Sequence, residues 1–175
     1  MKIPLLIAVL MVGVPVSGAA AAEGPKHLAF VDTGNTGRSV SAEALAERII
    51  AKQKLPIAVI SRAVDLNPFN LKPEANAQAI LKRRGIDVSG HRATQITEND
   101  VRHADVILVM TETHKAKLLA LFPDAKDKVF TLSQYADGES YEIADAYGKP
   151  MPVYVAMIGD LDKYIPLALH KIVAQ

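Results

Sequence analysis

The segment Asp32-Thr33-Gly34-Asn35-Thr36-Gly37-Arg38-Ser39 gathers an arginine, an aspartate, three hydroxyls and two glycines between two apolar stretches. The stretch before it, His27-Leu28-Ala29-Phe30-Val31, reads as a short buried strand. The one after it repeats Ala42, Leu45, Ala46 and Ile49 at helical spacing. A loop between a strand and a helix N-terminus presents free backbone N–H groups and the positive end of the helix dipole, and Arg38 adds a guanidinium. Gly34 and Gly37 permit the reversals of a concave cradle, and Asn35 is among the few other residues that accept a positive φ. The chemistry is that of an oxyanion site built from Thr33, Gly34, Asn35, Thr36, Gly37, Arg38 and Ser39. The plainer alternative is a glycine-containing turn of the kind many α/β proteins carry.

With this loop the chain resembles the low-molecular-weight protein tyrosine phosphatases, a family that includes bacterial arginine phosphatases and arsenate-reductase relatives. The family pattern Cys-x-Gly-Asn-x-Cys-Arg-Ser-Pro is met here by Asp32 through Val40. Gly85-Ile86-Asp87-Val88-Ser89-Gly90-His91-Arg92-Ala93, Ala104 through Met110, and Ile143-Ala144-Asp145-Ala146-Tyr147-Gly148 resemble further family segments in family order. The resemblance implies a three-layer α/β sandwich with a four-stranded parallel sheet in the order 2-1-3-4. It also implies that Asp32 stands at the nucleophile position and Arg38 at that of the oxyanion-binding arginine. Asp145 would match the acid that protonates the leaving group, Tyr147 an aromatic wall against the substrate, Ser39 the hydroxyl beside the nucleophile, and Asn35 the residue that locks the loop. No cofactor and no metal site is implied.

The chain has no cysteine at all, so every thiolate mechanism is excluded. A carboxylate at position 32 is expected to accept the loop N–H bonds, to pair with Arg38 and to compete with a phosphate dianion. Aspartate attacks phosphorus in other folds, usually where a metal offsets the meeting of two anions, but no second acidic cluster is evident beside this loop in the sequence. Three classes follow. The leading one is a phosphatase-like domain that keeps an oxyanion pocket with impaired or absent hydrolysis. The others are an active phosphomonoesterase using Asp32 and Asp145, and a structural or interaction protein. The expected ligand is phosphate or another small oxyanion, free or on a phosphorylated protein or small molecule.

Residues 1–22 form a separate unit, with Lys2, an apolar run from Ile3 to Val16 and a small-residue end at Ala20-Ala21-Ala22. This is the pattern of a secretory signal peptide cleaved before Glu23, which implies a periplasmic or secreted domain over 23–175 without stable membrane insertion after cleavage. An uncleaved anchor is the alternative. The residues after position 22 suffice for one domain. Twenty basic residues against 19 acidic ones give no electrostatic case for nucleic acid.

Alternating elements must position the loop. Strands are expected near 27–31, 55–60, 106–110 and 128–132, and helices near 39–53, from Pro73 to Gly85, after a capping box at Thr97-Glu98-Asn99-Asp100, at 113–122, and over 152–173 as one long or broken helix with Pro166 inside. Four strands separated by helices imply a parallel sheet covered on both faces. The stretch Arg62 through Pro73 departs from the family pattern, and Phe69 and Lys72 are candidate rim residues. His91, His103 and His114 share no ligand spacing and are expected to be solvated or hydrogen-bonded.

Overall fold

A computed structural model describes residues 24–175, so the expected signal segment lies outside the described residues. The order of elements is β1 (Lys26–Asp32), α1 (Arg38–Gln53), β2 (Ile57–Ala63), α2 (Ala75–Arg83), α3 (Glu98–His103), β3 (Val106–Val109), α4 (Glu112–Leu121), β4 (Val129–Thr131), α5 (Leu132–Asp137) and α6 (Met151–Val173). The four strands pair in parallel in the order β2-β1-β3-β4. Side-chain alternation splits β1 and β3 between two cores. Leu28, Phe30, Val106 and Leu108 face α1, α5 and α6, while Ala29, Val31, Ile107 and Val109 face α3 and α4.

The sheet reverses its direction of growth between β1 and β3, which opens a crevice at the carboxyl ends of these strands. The segment 33–37 sits there, between β1 and the N-terminus of α1, where the N-cap residue Gly37 has no side chain to offer the helix. The segment 143–148 is anchored beside it, because the Ile143 amide donates to the Met110 carbonyl just past β3.

Two elements differ from expectation, and a third takes one of the two forms expected of it. β2 runs to Ala63 rather than stopping at residue 60, because Ser61, Arg62 and Ala63 stay in register with Phe30, Val31 and Asp32. Their polarity hides a strand that supports the loop above it. The six-residue α5, closed by Gly138 at φ 86°, carries too few apolar positions to announce itself. The last helix is continuous through Pro166, held by a buried stripe that includes Met157, Leu161, Ile165 and Leu169. The capping box at α3 forms as read, with the Thr97 and Asp100 side chains each bonding the other's amide.

Candidate oxyanion site

Asp32 ends β1 with its carboxylate turned beneath the loop and only 3% exposed. Its Oδ1 accepts the Asn35 amide at 2.5 Å and its Oδ2 the Ser39 amide at 2.9 Å. Burial pushes the Asp32 carboxyl up, against the lowering effects of the Ser39 amide, the nearby Arg38 charge and the Asn35 amide. The amides of Gly34, Thr36 and Gly37 donate to no protein group among the described residues. The cradle therefore keeps donors for a ligand beyond those that Asp32 occupies.

The expected Asp32–Arg38 ion pair is not what the structure shows. The buried Arg38 guanidinium reaches the opposite way, donating to the Ile143 carbonyl at 3.2 Å and pairing with Asp145 Oδ2 at 3.4 Å. With both Asp32 oxygens facing loop amides, the arginine is left to tie the cradle to the 143–147 segment. There Asp145 accepts the Tyr147 amide at 3.1 Å, and the Tyr147 ring stands 60% exposed at the mouth.

Asn35 holds the loop from inside. At φ 56°, its amide nitrogen donates to Ser39 Oγ and Ser61 Oγ at 2.9 and 2.8 Å, while its Oδ1 accepts the Thr94 amide at 3.0 Å and meets His91 Nε2 at 3.1 Å. Each polar atom of this buried side chain is satisfied, so the loop has one favoured shape.

Two further residues take part that sequence reasoning did not place at the site. His114, buried at the start of α4, lies 2.9 Å from Thr33 Oγ1 through Nε2 and 3.0 Å from Thr111 Oγ1 through Nδ1. Burial, reinforced by the charge of Arg38, lowers its pKa to about 4, which keeps the ring neutral near pH 7. The unfolded ring, titrating near its ordinary value of about 6.5, takes up a proton first. Stability from His114 is thus present above about pH 6.5 and is lost as pH falls toward 4. Asp32, whose carboxyl is raised, opposes this trend, so the histidine is isolated by comparison. Urea midpoints of the parent are expected to fall more steeply from pH 6.5 to 4 than those of His114→Gln, and parallel profiles would remove the histidine from the account.

Glu74 is the second. It caps α2, its amide donating to the Thr36 carbonyl at 2.9 Å. Its Oε1 accepts the Thr36 hydroxyl at 3.4 Å and its Oε2 the Tyr154 hydroxyl. A Cβ at Gly37 would come within 2.5 Å of Glu74 Oε1, so glycine at position 37 is what lets this carboxylate approach the loop. Burial raises the Glu74 carboxyl, as does the charge of Asp145, against the bond from Tyr154. The only local hint was a glutamate at a helix start where a short polar cap is usual.

Asp32, Thr33, Gly34, Thr36, Gly37, Arg38, Asp65, Asn67, Asn70, Glu74, Asp145 and Tyr147 enclose a cavity of about 250 Å³. Glu74 and Asp145 share the cavity with Asp32; Asp145, on the segment before α6, was expected there, and Glu74, brought by the start of α2, was not. Asp65 stands at its edge, 3.1 Å from Lys117. Among the described residues no group of three or more His, Cys, Asp or Glu is arranged to hold a metal ion. Phe69 is 97% exposed and Lys72 is exposed, and neither lines the cavity, whereas Asn67 and Asn70 of the same stretch do. A larger cavity, about 460 Å³, lies between α3 and the end of α4 and shares no residue with the loop. Convergent donors and acids single out the smaller one.

A parallel four-stranded sandwich with an arginine-bearing loop at its switch point defines a phosphatase-type fold. The match of residues 27–174 to the low molecular weight phosphotyrosine protein phosphatase model shows that the chain belongs to that family. It is 35% identical over 148 residues to the protein-arginine-phosphatase of Geobacillus stearothermophilus, covering 85% of this chain and 97% of that one. A probable low molecular weight protein-tyrosine-phosphatase, EpsP, of Ralstonia solanacearum is 35% identical, with 81% and 94% covered. Among solved structures, a YwlE mutant from Bacillus subtilis superposes with a TM-score of 0.80 at 31% identity, over 84% of this chain and 98% of that one. This member of the family contains no cysteine.

Proposed function

We propose that the protein is an exported, phosphatase-like oxyanion binder in which Asp32 stands where the family places its nucleophile. The observation that carries this reading is the loop itself: a carboxylate, not a thiol, lies under a cradle whose Gly34, Thr36 and Gly37 amides remain open beside Arg38. Those donors suit a tetrahedral oxyanion, the helix dipole adds to them, and Arg38 supplies a fixed charge. Asp145 would stand as the family's proton donor and Tyr147 as the wall of the ligand channel. Relatives named as phosphatases of protein arginine and protein tyrosine make a phosphorylated side chain a ligand of the right class.

Hydrolysis is impaired because the group beneath the cradle already carries the charge the substrate brings. An attacking Asp32 carboxylate would have to leave two amide bonds and approach a phosphorus whose oxygens repel it. The N-terminal 22 residues support a signal peptide and a periplasmic or secreted domain from Glu23 onward. No helix among the described residues is long and apolar enough to cross a membrane.

Calorimetric titration of the exported protein with orthovanadate or phosphate tests the reading, and its N-terminal sequence, expected to begin near Glu23, checks the processing. Saturable binding to one site is expected. A folded protein that takes up neither anion would leave Asp32 and Arg38 with a purely structural role.

A further inference from the structure

We infer that Glu74 makes this cavity selective for singly charged tetrahedral oxyanions, such as a phosphodiester or a sulfate ester, over the dianion of a phosphomonoester. The inference rests on the oxyanion reading above and narrows its ligand class from phosphorylated side chains in general to singly charged oxyanions.

The charges around the cradle are unbalanced. Among the described residues Arg38 is the only cationic side chain that lines the cavity, and it is already engaged by Asp145 at 3.4 Å. Against it stand Asp32 below the loop, Glu74 on one wall and Asp145 on another, while Asp65 at the edge is paired with Lys117 at 3.1 Å. Glu74 is also fixed in place. The Tyr154 hydroxyl holds one carboxylate oxygen, the Thr36 hydroxyl the other, and the Glu74 amide bonds the Thr36 carbonyl. It cannot swing away from an incoming anion without breaking these bonds.

Its position bears directly on the donors. Glu74 Oε1 occupies space that any side chain at residue 37 would need, next to the open amides of Thr36 and Gly37. An anion held by those amides therefore sits beside a carboxylate. Coulomb repulsion scales with the product of the charges, so the same Glu74 opposes a dianion twice as strongly as a monoanion in free energy. The amides and Arg38 together suit one negative charge. A second one meets the carboxylates of Asp32, Glu74 and Asp145, and no further cationic side chain lines the cavity among the described residues. The upward push on the Glu74 carboxyl from burial and from Asp145 and Asp32 has the same origin, since these acids already crowd one another.

Gly37 and Glu74 form a matched pair in this respect. A side chain at 37 would expel the carboxylate from its seat, and the absence of one admits it. The ester oxygen or sulfonyl group of a monoanion still offers the acceptor lone pairs that the loop amides require, so selectivity comes at little loss of hydrogen bonding.

Three probes with one ring separate charge from shape: phenyl phosphate, methyl phenyl phosphate and phenyl sulfate, titrated at pH 7.5 and fixed ionic strength into the parent and Glu74→Gln. The glutamine oxygen can accept from one of the two hydroxyls and its NH2 can donate to the other, so size and hydrogen-bonding capacity are kept while the charge is removed. The parent is expected to bind methyl phenyl phosphate or phenyl sulfate at least as tightly as phenyl phosphate. In Glu74→Gln the affinity for phenyl phosphate should rise about 3- to 30-fold, and that for the monoanions by roughly the square root of the same factor. Comparison of the two monoanions distinguishes a phosphodiester ligand from a sulfate ester, whose shared charge is the property claimed.

An independent measurement needs no variant. Near pH 5 phenyl phosphate is mostly singly charged, since the second pKa of a phosphate monoester is about 6. Its affinity for the parent should then rise relative to that of phenyl sulfate, whose charge is constant. Stronger binding of phenyl phosphate than of both monoanions at pH 7.5, with equal response of all three to Glu74→Gln, would overturn the inference and leave the oxyanion reading in place. Failure of a folded parent to bind any of the three would remove both.

Discussion

An Asp32→Ala variant is expected to bind phosphate or vanadate about 5- to 150-fold more tightly than the parent, equivalent to about 1–3 kcal/mol. The Asp32 carboxylate is buried below the cradle and takes the amides of Asn35 and Ser39. Removing it deletes a negative charge from beneath the ligand and returns two donors to the loop. Arg38 is not released by the change, because its partners are Asp145 and the Ile143 carbonyl. The gain is therefore that of a removed repulsion and two freed amides.

Two accompanying effects identify the cause. In the absence of an anion the variant should be less stable, since two amides lose their acceptor, which costs about 1–3 kcal/mol for each buried group left unpaired. The affinity advantage should also shrink as pH falls, because burial has raised the Asp32 carboxyl and the parent loses its repelling charge on acidification. Calorimetric titration of both proteins at two pH values measures the whole pattern. Equal or weaker binding by a folded Asp32→Ala protein would mean that Asp32 does not guard the site.

The parts of this site written in contiguous residues were legible in the sequence, and the parts made by long-range contacts were not. Asp32 through Ser39 announced a strand-to-helix loop because its glycines, its asparagine and the apolar runs on either side are local signals. Val106 through Val109 read as a buried strand for the same reason, and Thr97 and Asp100 read as a cap. Ser61, by contrast, looked like the end of a strand. Its place inside β2 is set by pairing with Phe30, and its hydroxyl is used by Asn35.

Arg38 illustrates a different limit. Its presence near an oxyanion loop was readable, but the choice between Asp32 and Asp145 as its partner depends on which way two short carboxylates point. Asp32 is turned to the amides at the end of β1, and Arg38 pairs with Asp145 instead. Glu74 was hidden because nothing in α2 marks it as a wall of the cavity. Its trace in the sequence was Gly37, a residue whose lack of a side chain has meaning only when the carboxylate packed against it is known.

Turnover of phenyl phosphate or a phosphotyrosine peptide is expected to be at least about a hundredfold slower than that of a cysteine-bearing relative. The difference follows from the attacking group. A thiolate in such a cradle is a strong nucleophile that the loop amides hold as an anion at neutral pH. The Asp32 carboxylate is a weaker nucleophile, is held by the amides of Asn35 and Ser39 on its two oxygens, and is flanked by Glu74 and Asp145 in the same cavity. Asp32→Cys in reducing buffer should recover part of the rate, because Arg38, the free loop amides and Asp145 are still supplied. Recovery should be larger in the double variant Asp32→Cys, Glu74→Gln, since the second change removes the wall charge that opposes a dianion without disturbing Gly37. A steady-state assay of parent, single and double variants orders the three rates. A homogeneous parent within tenfold of a cysteine-bearing relative, with activity lost in Asp145→Asn, would establish instead that this chain hydrolyses phosphomonoesters through Asp32 and Asp145.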